Sequence, residues 1–238
     1  MHSATHSRSS ALLDSLGWVE HAFLPAGERP AEHTAFAHQR HTATVVLDAE
    51  AFPPKSHEAD GVISITTRPV AVYTADCLPI LIADTRQRHV AAVHAGLKGA
   101  LAGVIGSAVE RLLTLGATAD SLYAAIGPAI GPCCYELGRD VLDKMQENPR
   151  VITPTWQEMQ PLNPHAVRPQ ACGNNSGVWF DLAGLGRQML QQAGIPARQI
   201  DVLEVCTYCM AEPNASYRRN THFNHGYASR FSWIGRRD

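Results

Sequence analysis

No stretch of this sequence approaches the ~18 consecutive apolar residues that a membrane-spanning helix needs. No charge of one sign prevails either, since 20 basic and 22 acidic side chains leave a formal net charge of -2. Without a net field, neither nucleic acid nor an anionic membrane surface is the expected partner, and a small-molecule substrate fits better. The opening residues MHSATHSRSSALLDSLGW are polar, contain Asp14 and have no apolar signal-peptide core, so the expected location is cytoplasmic. Internal repeats and low-complexity runs are missing as well.

What is there has the balance of an ordinary globular chain: 45% hydrophobic and 18% charged residues over 238 positions. That length buries a sizeable core and fits one large domain. Six cysteines (Cys77, Cys133, Cys134, Cys172, Cys206 and Cys209), without a secretory signal, read as thiols or metal ligands rather than as a disulfide framework.

Residues 1–17 mix Ser, His and Arg without periodicity and are expected to form a mobile tail, leaving 18–238 as the domain. Short apolar segments predict strands at 62–67, 71–76, 78–84, 89–96, 121–127, 200–207 and 229–235. Several are too apolar for a wet face, so the sheet should be covered. Helical periodicity appears in LAGVIGSAVERLLTLG, which Gly116 stops, and in DLAGLGRQMLQQAG, which Asp181 caps and Gly194 ends. Residues 148–177 are rich in Pro, Asn and Gln and predict a long loop. The fold class is mixed α and β.

Chemistry concentrates in AVYTADCLPILIADTRQRHVAAVHAGLKG, which sets Cys77 and His94 at the ends of two apolar segments. A thiolate with two imidazoles from separate segments suits Zn²⁺ with a fourth position for water, whose pKa zinc lowers to about 7. Upstream, His41 leads into the apolar TATVVL, but His33, His38, His57 and His89 also lie nearby in sequence, and spacing alone does not choose. Asp76 is adjacent to Cys77 and is a candidate base, although a regular strand would turn it to the opposite face. The competing reading makes Cys77 a small buried hydrophobe and His94 a strand-end residue satisfied by backbone.

Further along, IGPAIGPCCYE offers turn N–H groups that suit an anion, and Cys133 and Cys134 would face opposite ways on an extended segment. CTYC (206–209) has no second pair at zinc-finger spacing, and no redox role is expected of it. Arg218 and Arg219 in SYRR have guanidinium groups suited to phosphate.

TADCLPILIAD (74–84), VAAVHAGLKG (90–99), AAIGPAIGPCCYELG (124–138), WFDLAGLGRQML (179–190) and CTYCMAEPNASYRR (206–219), in this order, resemble the YfiH family, also called the laccase-domain or multicopper polyphenol oxidase family. HQRH (38–41) and HEADGVISITT (57–67) fit its upstream blocks. The resemblance implies an α+β single domain of four layers, α/β/β/α, similar to a bacterial toxin deamidase. It implies Zn²⁺ on His41, Cys77 and His94, with His41 chosen because Gln39-Arg40-His41 aligns with the family's Gln-x-His block. Copper is the alternative metal, with Met145 or Met210 as a weak axial ligand.

The implied activity is phosphorolysis of adenosine, inosine and methylthioadenosine and deamination of adenosine. Laccase-like oxidation of phenols and editing of peptidoglycan precursors are the alternatives. In this frame Cys77, His94 and Asp76 are the catalytic candidates, and Arg218, Lys98, Gln39 and Cys134 the substrate- and phosphate-binding ones. The family's VHAGWRG is VHAGLKG here, its later Gly-Arg is Gly226-Tyr227, and its upstream Ser-Leu-Asn block is missing. Lys98 cannot form the planar fork that an arginine offers an anion.

Overall fold

The computed structural model describes residues 8–151, 156–157, 163–166 and 178–237. In chain order the elements are α1 (Ala11–Asp14), β1 (Val19–Ala26), β2 (Val45–Leu47), β3 (Gly61–Ser64), β4 (Val70–Thr74), β5 (Leu78–Asp84) and β6 (Val90–Ala95). They continue as α2 (Leu97–Ala102), α3 (Val104–Thr114), β7 (Leu122–Ile126), β8 (Glu136–Leu137), α4 (Arg139–Gln146), β9 (Trp156–Gln157) and β10 (Val178–Phe180). The last four are α5 (Leu182–Gln192), β11 (Ile200–Val202), α6 (Tyr217–Phe223) and β12 (Arg230–Arg236).

Both β5 and β6 are buried at every position, which follows from cover on both faces of their sheet. That sheet has the order β11-β7-β5-β6-β3-β2, antiparallel in its centre and parallel at its two outer pairs. Alternation along β5 sends Leu78, Ile80 and Ile82 to one face, where they meet Val104 and Leu112 of α3 and Leu185 of α5. Leu81 and Ala83 turn to the other face and pack on Phe23, Val70, Val72 and Ile234 of a second sheet, ordered β1-β12-β4. Helices, large sheet and small sheet thus stack in layers, and the fold is α+β. Among the described residues, no helix is long and apolar enough to cross a membrane.

Three local differences from the sequence expectations have physical causes. Residues 8–17, expected in a tail, pack on the body: Leu13 is buried, and the Ser10 N–H donates to His21 Nε2 at 2.8 Å. The helical segment after residue 101 breaks at Gly103, whose φ of 102° ends α2 and begins α3. The strand expected over 200–207 stops at Val202: the Val205 N–H donates back to the Leu203 carbonyl at 2.7 Å, and Thr207–Cys209 then wind into a 3-10 turn. Most of the 148–177 segment, including Cys172, lies outside the described residues, while β9 within it pairs with β10.

The register of the large sheet assembles the site. Leu78 pairs with Ala95 and Pro79 with His94, so the residue before β5, Cys77, meets the end of β6. Gly61 pairs with Val93, which sets Asp60, just before β3, beside His94. Val45 pairs with Gly61 in parallel, which brings the turn ahead of β2, with His41, to the same edge.

Candidate metal centre

His41, Cys77 and His94 converge, each offering a ligand atom, and these atoms all lie within 4.8 Å of one another. His41 Nε2 is 3.7 Å from Cys77 Sγ, and the two imidazole rings stand 4.7 Å apart, edge to face. Sulfur at about 2.3 Å and nitrogen at about 2.05 Å from a tetrahedral zinc lie about 3.6 Å apart, so the donor set fits that ion. The other upstream candidates, His33, His38, His57 and His89, are not in this cluster.

Asp60 organises the turn. Its fully buried carboxylate accepts the backbone N–H of Arg40 (3.1 Å), His41 (2.9 Å) and Thr42 (2.7 Å) and the Thr42 hydroxyl (2.9 Å). It also takes His94 Nδ1 at 2.8 Å, which leaves His94 Nε2 to face the centre. A carboxylate behind a ligating imidazole fixes its tautomer and raises its basicity. Burial works against the charge on Asp60, but the hydrogen bonds from His94, Thr42 and His41 outweigh it and hold the carboxyl well below its usual range. The His94 partner is therefore a side chain, not the backbone that the competing reading supposes.

Burial lowers the His41 pKa, aided by the neighbouring His94, so the ring is neutral and able to ligate near pH 7. Burial pushes the Cys77 thiol up to about 12, and the Asp76 and Asp60 charges add to the rise. A thiolate at that position thus calls for a cation. His41 itself has a left-handed backbone, φ 60°, which the three N–H bonds to Asp60 hold in place.

Gly96 completes the centre by what it omits. A Cβ there would sit 2.7 Å from Cys77 Sγ and 2.7 Å from His41 Cδ2. Gly96→Ala is expected to push these two ligands apart and lower metal affinity by at least about 10-fold, the scale of outer-shell changes. Metal content after dialysis against a weak chelator checks this, and retention equal to that of the parent would refute it. Neither Asp60 nor Gly96 is among the residues that sequence alone singles out, although an Asp-Gly pair heading a buried strand and a glycine two residues past a ligand are visible signals.

A cavity of about 470 Å³ opens beside the centre, bordered by His41, Asp76, Cys77, Lys98, Tyr135 and Arg218 among others. Asp76, with φ 91°, does not face it as a loose carboxylate. It accepts the Thr207 hydroxyl (2.6 Å), the Ser216 hydroxyl (2.9 Å) and the Arg218 N–H (2.6 Å), and burial raises its pKa against those bonds. Arg218 donates Nη1 to the Glu136 carbonyl at 2.7 Å, and its guanidinium carbon lies 5.1 Å from the Tyr135 ring centre. Arg219 is clamped on the carbonyls of Tyr208, Met210 and Glu212.

The remaining candidates lie elsewhere. Gln39 commits both ends of its amide to the Tyr73 backbone, donating to the carbonyl at 2.7 Å and accepting the N–H at 2.8 Å. Cys134 is buried in a separate cluster of sulfurs. The N–H groups of Gly127, Ala129, Ile130 and Gly131, suited by sequence to an anion, all go to protein acceptors: Pro79 O, Val205 O, Asp76 O and Cys206 Sγ. Met145 is buried in the helix-side core, and Met210 Sδ accepts from Arg230 Nη2 at 2.9 Å. Neither methionine borders the cavity.

Residues 21–235 match the family described as multi-copper polyphenol oxidoreductase laccase. Among relatives, the chain is 32% identical over 164 residues to an adenosine deaminase from an unknown prokaryotic organism, a match covering 67% of this chain and 58% of that protein. It is 32% identical over 189 residues to a purine nucleoside phosphorylase of a Synechocystis strain, covering 76% of this chain and 70% of the relative. Among solved structures, YlmD of Geobacillus stearothermophilus superposes with a TM-score of 0.71 at 28% identity, over 87% of this chain and 74% of that one. YfiH of Bacillus licheniformis superposes with a TM-score of 0.68 at 26% identity, over 86% and 74%.

Proposed function

We propose, from the premise that this chain belongs to the multi-copper polyphenol oxidoreductase laccase family, the YfiH family, that it is a zinc-dependent enzyme of purine nucleosides. The reactions proposed are phosphorolysis of adenosine, inosine and methylthioadenosine and deamination of adenosine. One observation carries the reading: a set of three protein ligands, His41, Cys77 and His94, opens on a cavity that Lys98 and Arg218 border. Three ligands instead of four leave a position for a reactant. The names of the deaminase and phosphorylase relatives support the substrate class.

Zinc at this centre supplies Lewis acidity toward an oxygen of substrate or water. The chain's own groups do the rest. Lys98 and Arg218 bind the attacking phosphate, Arg218 being held in aim by Glu136 O and the Tyr135 face. Tyr135 and Tyr217 offer ring surface to the purine. Asp76 positions the 216–218 turn through the hydrogen bonds it accepts from Ser216 and Arg218, and ties it to the 207 turn through the one it accepts from Thr207. In phosphorolysis a phosphate oxygen bonds the ribose C1′ as the glycosidic bond breaks. Its electron pair leaves on the purine, which gains a proton. In deamination water adds at the purine C6 and ammonia departs.

Incubation of metal-quantified protein with adenosine separates the reactions. Adenine with ribose 1-phosphate, formed only with phosphate present, marks phosphorolysis, and inosine with ammonia marks deamination. No product from adenosine, inosine or methylthioadenosine at full metal loading would overturn the reading.

The family's description favours a second reading, copper-dependent oxidation of phenols. A His₂Cys copper site takes a weak axial ligand such as methionine, and both candidate methionines are engaged elsewhere. Among the described residues the other potential ligand cluster consists of four cysteines, without the histidines that further coppers require. Stoichiometric copper with intense visible absorption would decide for oxidation.

A further inference from the structure

Extended backbone would put Cys133 and Cys134 on opposite sides, and sequence spacing offers CTYC no partner pair. The structure corrects both points. Residues 131–135 form a turn, in which the N–H groups of Cys134 and Tyr135 both donate to the Gly131 carbonyl, at 3.0 and 3.1 Å. The turn aims both thiols the same way, with their sulfurs 3.5 Å apart. Opposite them, the 3-10 turn at Thr207–Cys209 folds the C-x-x-C so that Cys209 Sγ is 3.3 Å from Cys134 Sγ and 3.9 Å from Cys133 Sγ. Cys206 closes the group, and all four sulfurs lie within 4.8 Å of one another.

We propose that Cys133, Cys134, Cys206 and Cys209 form a second metal site, a closed four-sulfur centre for one zinc-like divalent cation, distinct from the His41–Cys77–His94 centre. Four thiolates at about 2.3 Å from a tetrahedral ion lie about 3.8 Å apart, and the observed separations bracket that spacing. A disulfide holds its sulfurs at about 2.05 Å, far closer than any pair here. An iron–sulfur cubane, whose ligand sulfurs are spread by the width of the cluster, needs them wider apart.

Two further features point to negatively charged sulfur. The Gly131 N–H donates to Cys206 Sγ at 3.2 Å, and Asn163 Nδ2 donates to Cys134 Sγ at 3.3 Å and approaches Cys209 Sγ at 3.7 Å. Such donors are the outer shell that orients and charge-balances metal-bound thiolates. Cys134 is buried while Cys209 is exposed, so the site has a floor and an entry path.

Four protein ligands and no open position mark a structural role. The ion would tie the turn after β7 to the turn after β11. Those turns carry Ile130, whose N–H donates to the Asp76 carbonyl, and Thr207, whose hydroxyl donates to the Asp76 carboxylate. The second centre therefore braces the wall of the cavity beside the first.

Elemental analysis of the purified, reduced chain tests this without any assay of turnover. Two equivalents of divalent metal are expected, falling to one in Cys77→Ser and to one in Cys206→Ser/Cys209→Ser, the latter with a melting temperature lowered by several degrees. Should that double variant fail to fold, cobalt substitution of the full wild-type chain gives the second readout: an intense sulfur-to-cobalt charge-transfer band from two equivalents of cobalt, which Cys77→Ser retains. A Cys77→Ser protein that holds no metal, or a folded Cys206→Ser/Cys209→Ser protein that keeps the full wild-type content, would overturn the proposal. So would an intact mass two hydrogens light from a Cys134–Cys209 disulfide, or iron accompanied by inorganic sulfide. The metal held by Cys77→Ser belongs to the four-sulfur centre alone, so failure of the nucleoside reading leaves that measurement untouched.

Discussion

Cys77→Ser is expected to lower turnover on purine nucleosides by about 1,000-fold while the chain stays folded. Lewis-acid stabilisation by a bound ion contributes several kcal/mol to a transition state, and each 1.36 kcal/mol is tenfold in rate. A serine hydroxyl does not ionise at neutral pH, so His41 and His94 alone would face the cation, and one equivalent of metal should be lost. Sulfur-to-oxygen exchange at a half-buried position between His41 and Gly96 removes no packed carbon, so stability without metal should change little.

The pH dependence has a definite sign. The Cys77 thiol, raised to about 12 by burial and by the Asp76 and Asp60 charges, must release its proton when the ion enters. Metal affinity at this centre therefore rises with pH through the neutral range, by about tenfold per unit for the one proton displaced. Chelator competition across that range measures the slope. A Cys77→Ser protein with parental metal content and turnover would remove this thiol from the chemistry.

The middle of the fold is legible in the sequence because its strands are extreme. LPILIAD and the segment ending in His94 are apolar on both faces, which only a doubly covered sheet explains. The helix caps are legible too, since Asp181 accepts from Gly184 N at 2.8 Å and Gly116 has φ 98°. β1 carries the mixed pattern VEHAFLPA and escapes a reading by periodicity, because its partner β12 lies about two hundred residues away and only pairing reveals it. Tertiary contacts of that range leave no local signature.

The same limit applies to the sites. His41, Cys77 and His94 converge through sheet register, and spacing cannot select His41 from its neighbours; the family blocks do. The four-cysteine cluster is hidden by an assumption of extended backbone, where a Gly-Pro turn places adjacent side chains together. Gln39 reads from its motif as a substrate contact, yet its amide serves as a short strand mimic against Tyr73. A polar residue in a family block is thus compatible with either role, and only the partners of its atoms tell which.

Asp60→Asn is the substitution with the largest expected structural effect, although it changes one atom. Both carboxylate oxygens receive only donors: His94 Nδ1 and the His41 N–H on Oδ1, the N–H groups of Arg40 and Thr42 and the Thr42 hydroxyl on Oδ2. Whichever way the amide is turned, its NH₂ meets donors, and buried N–H groups lose their acceptor. Breaking such a buried, charge-assisted set costs about 3–5 kcal/mol. At about 2–4 °C per kcal/mol for a chain of this size, the melting temperature should fall by about 6–20 °C. Metal affinity should drop a further 10- to 100-fold, roughly, as His94 loses its orienting carboxylate and the His41 turn loses its anchor.

Acid provides the control. The folded-state pKa of Asp60 is depressed, so its stabilisation is fully present above the unfolded value of about 3.9 and is lost as pH falls through the folded value below it. The stability gap between parent and Asp60→Asn, measured without metal by denaturant titration, should be constant near neutrality and narrow below about pH 4. A gap that stays the same at about pH 3, or no gap near pH 7, would mean that the ionised carboxylate does not hold the turn carrying His41.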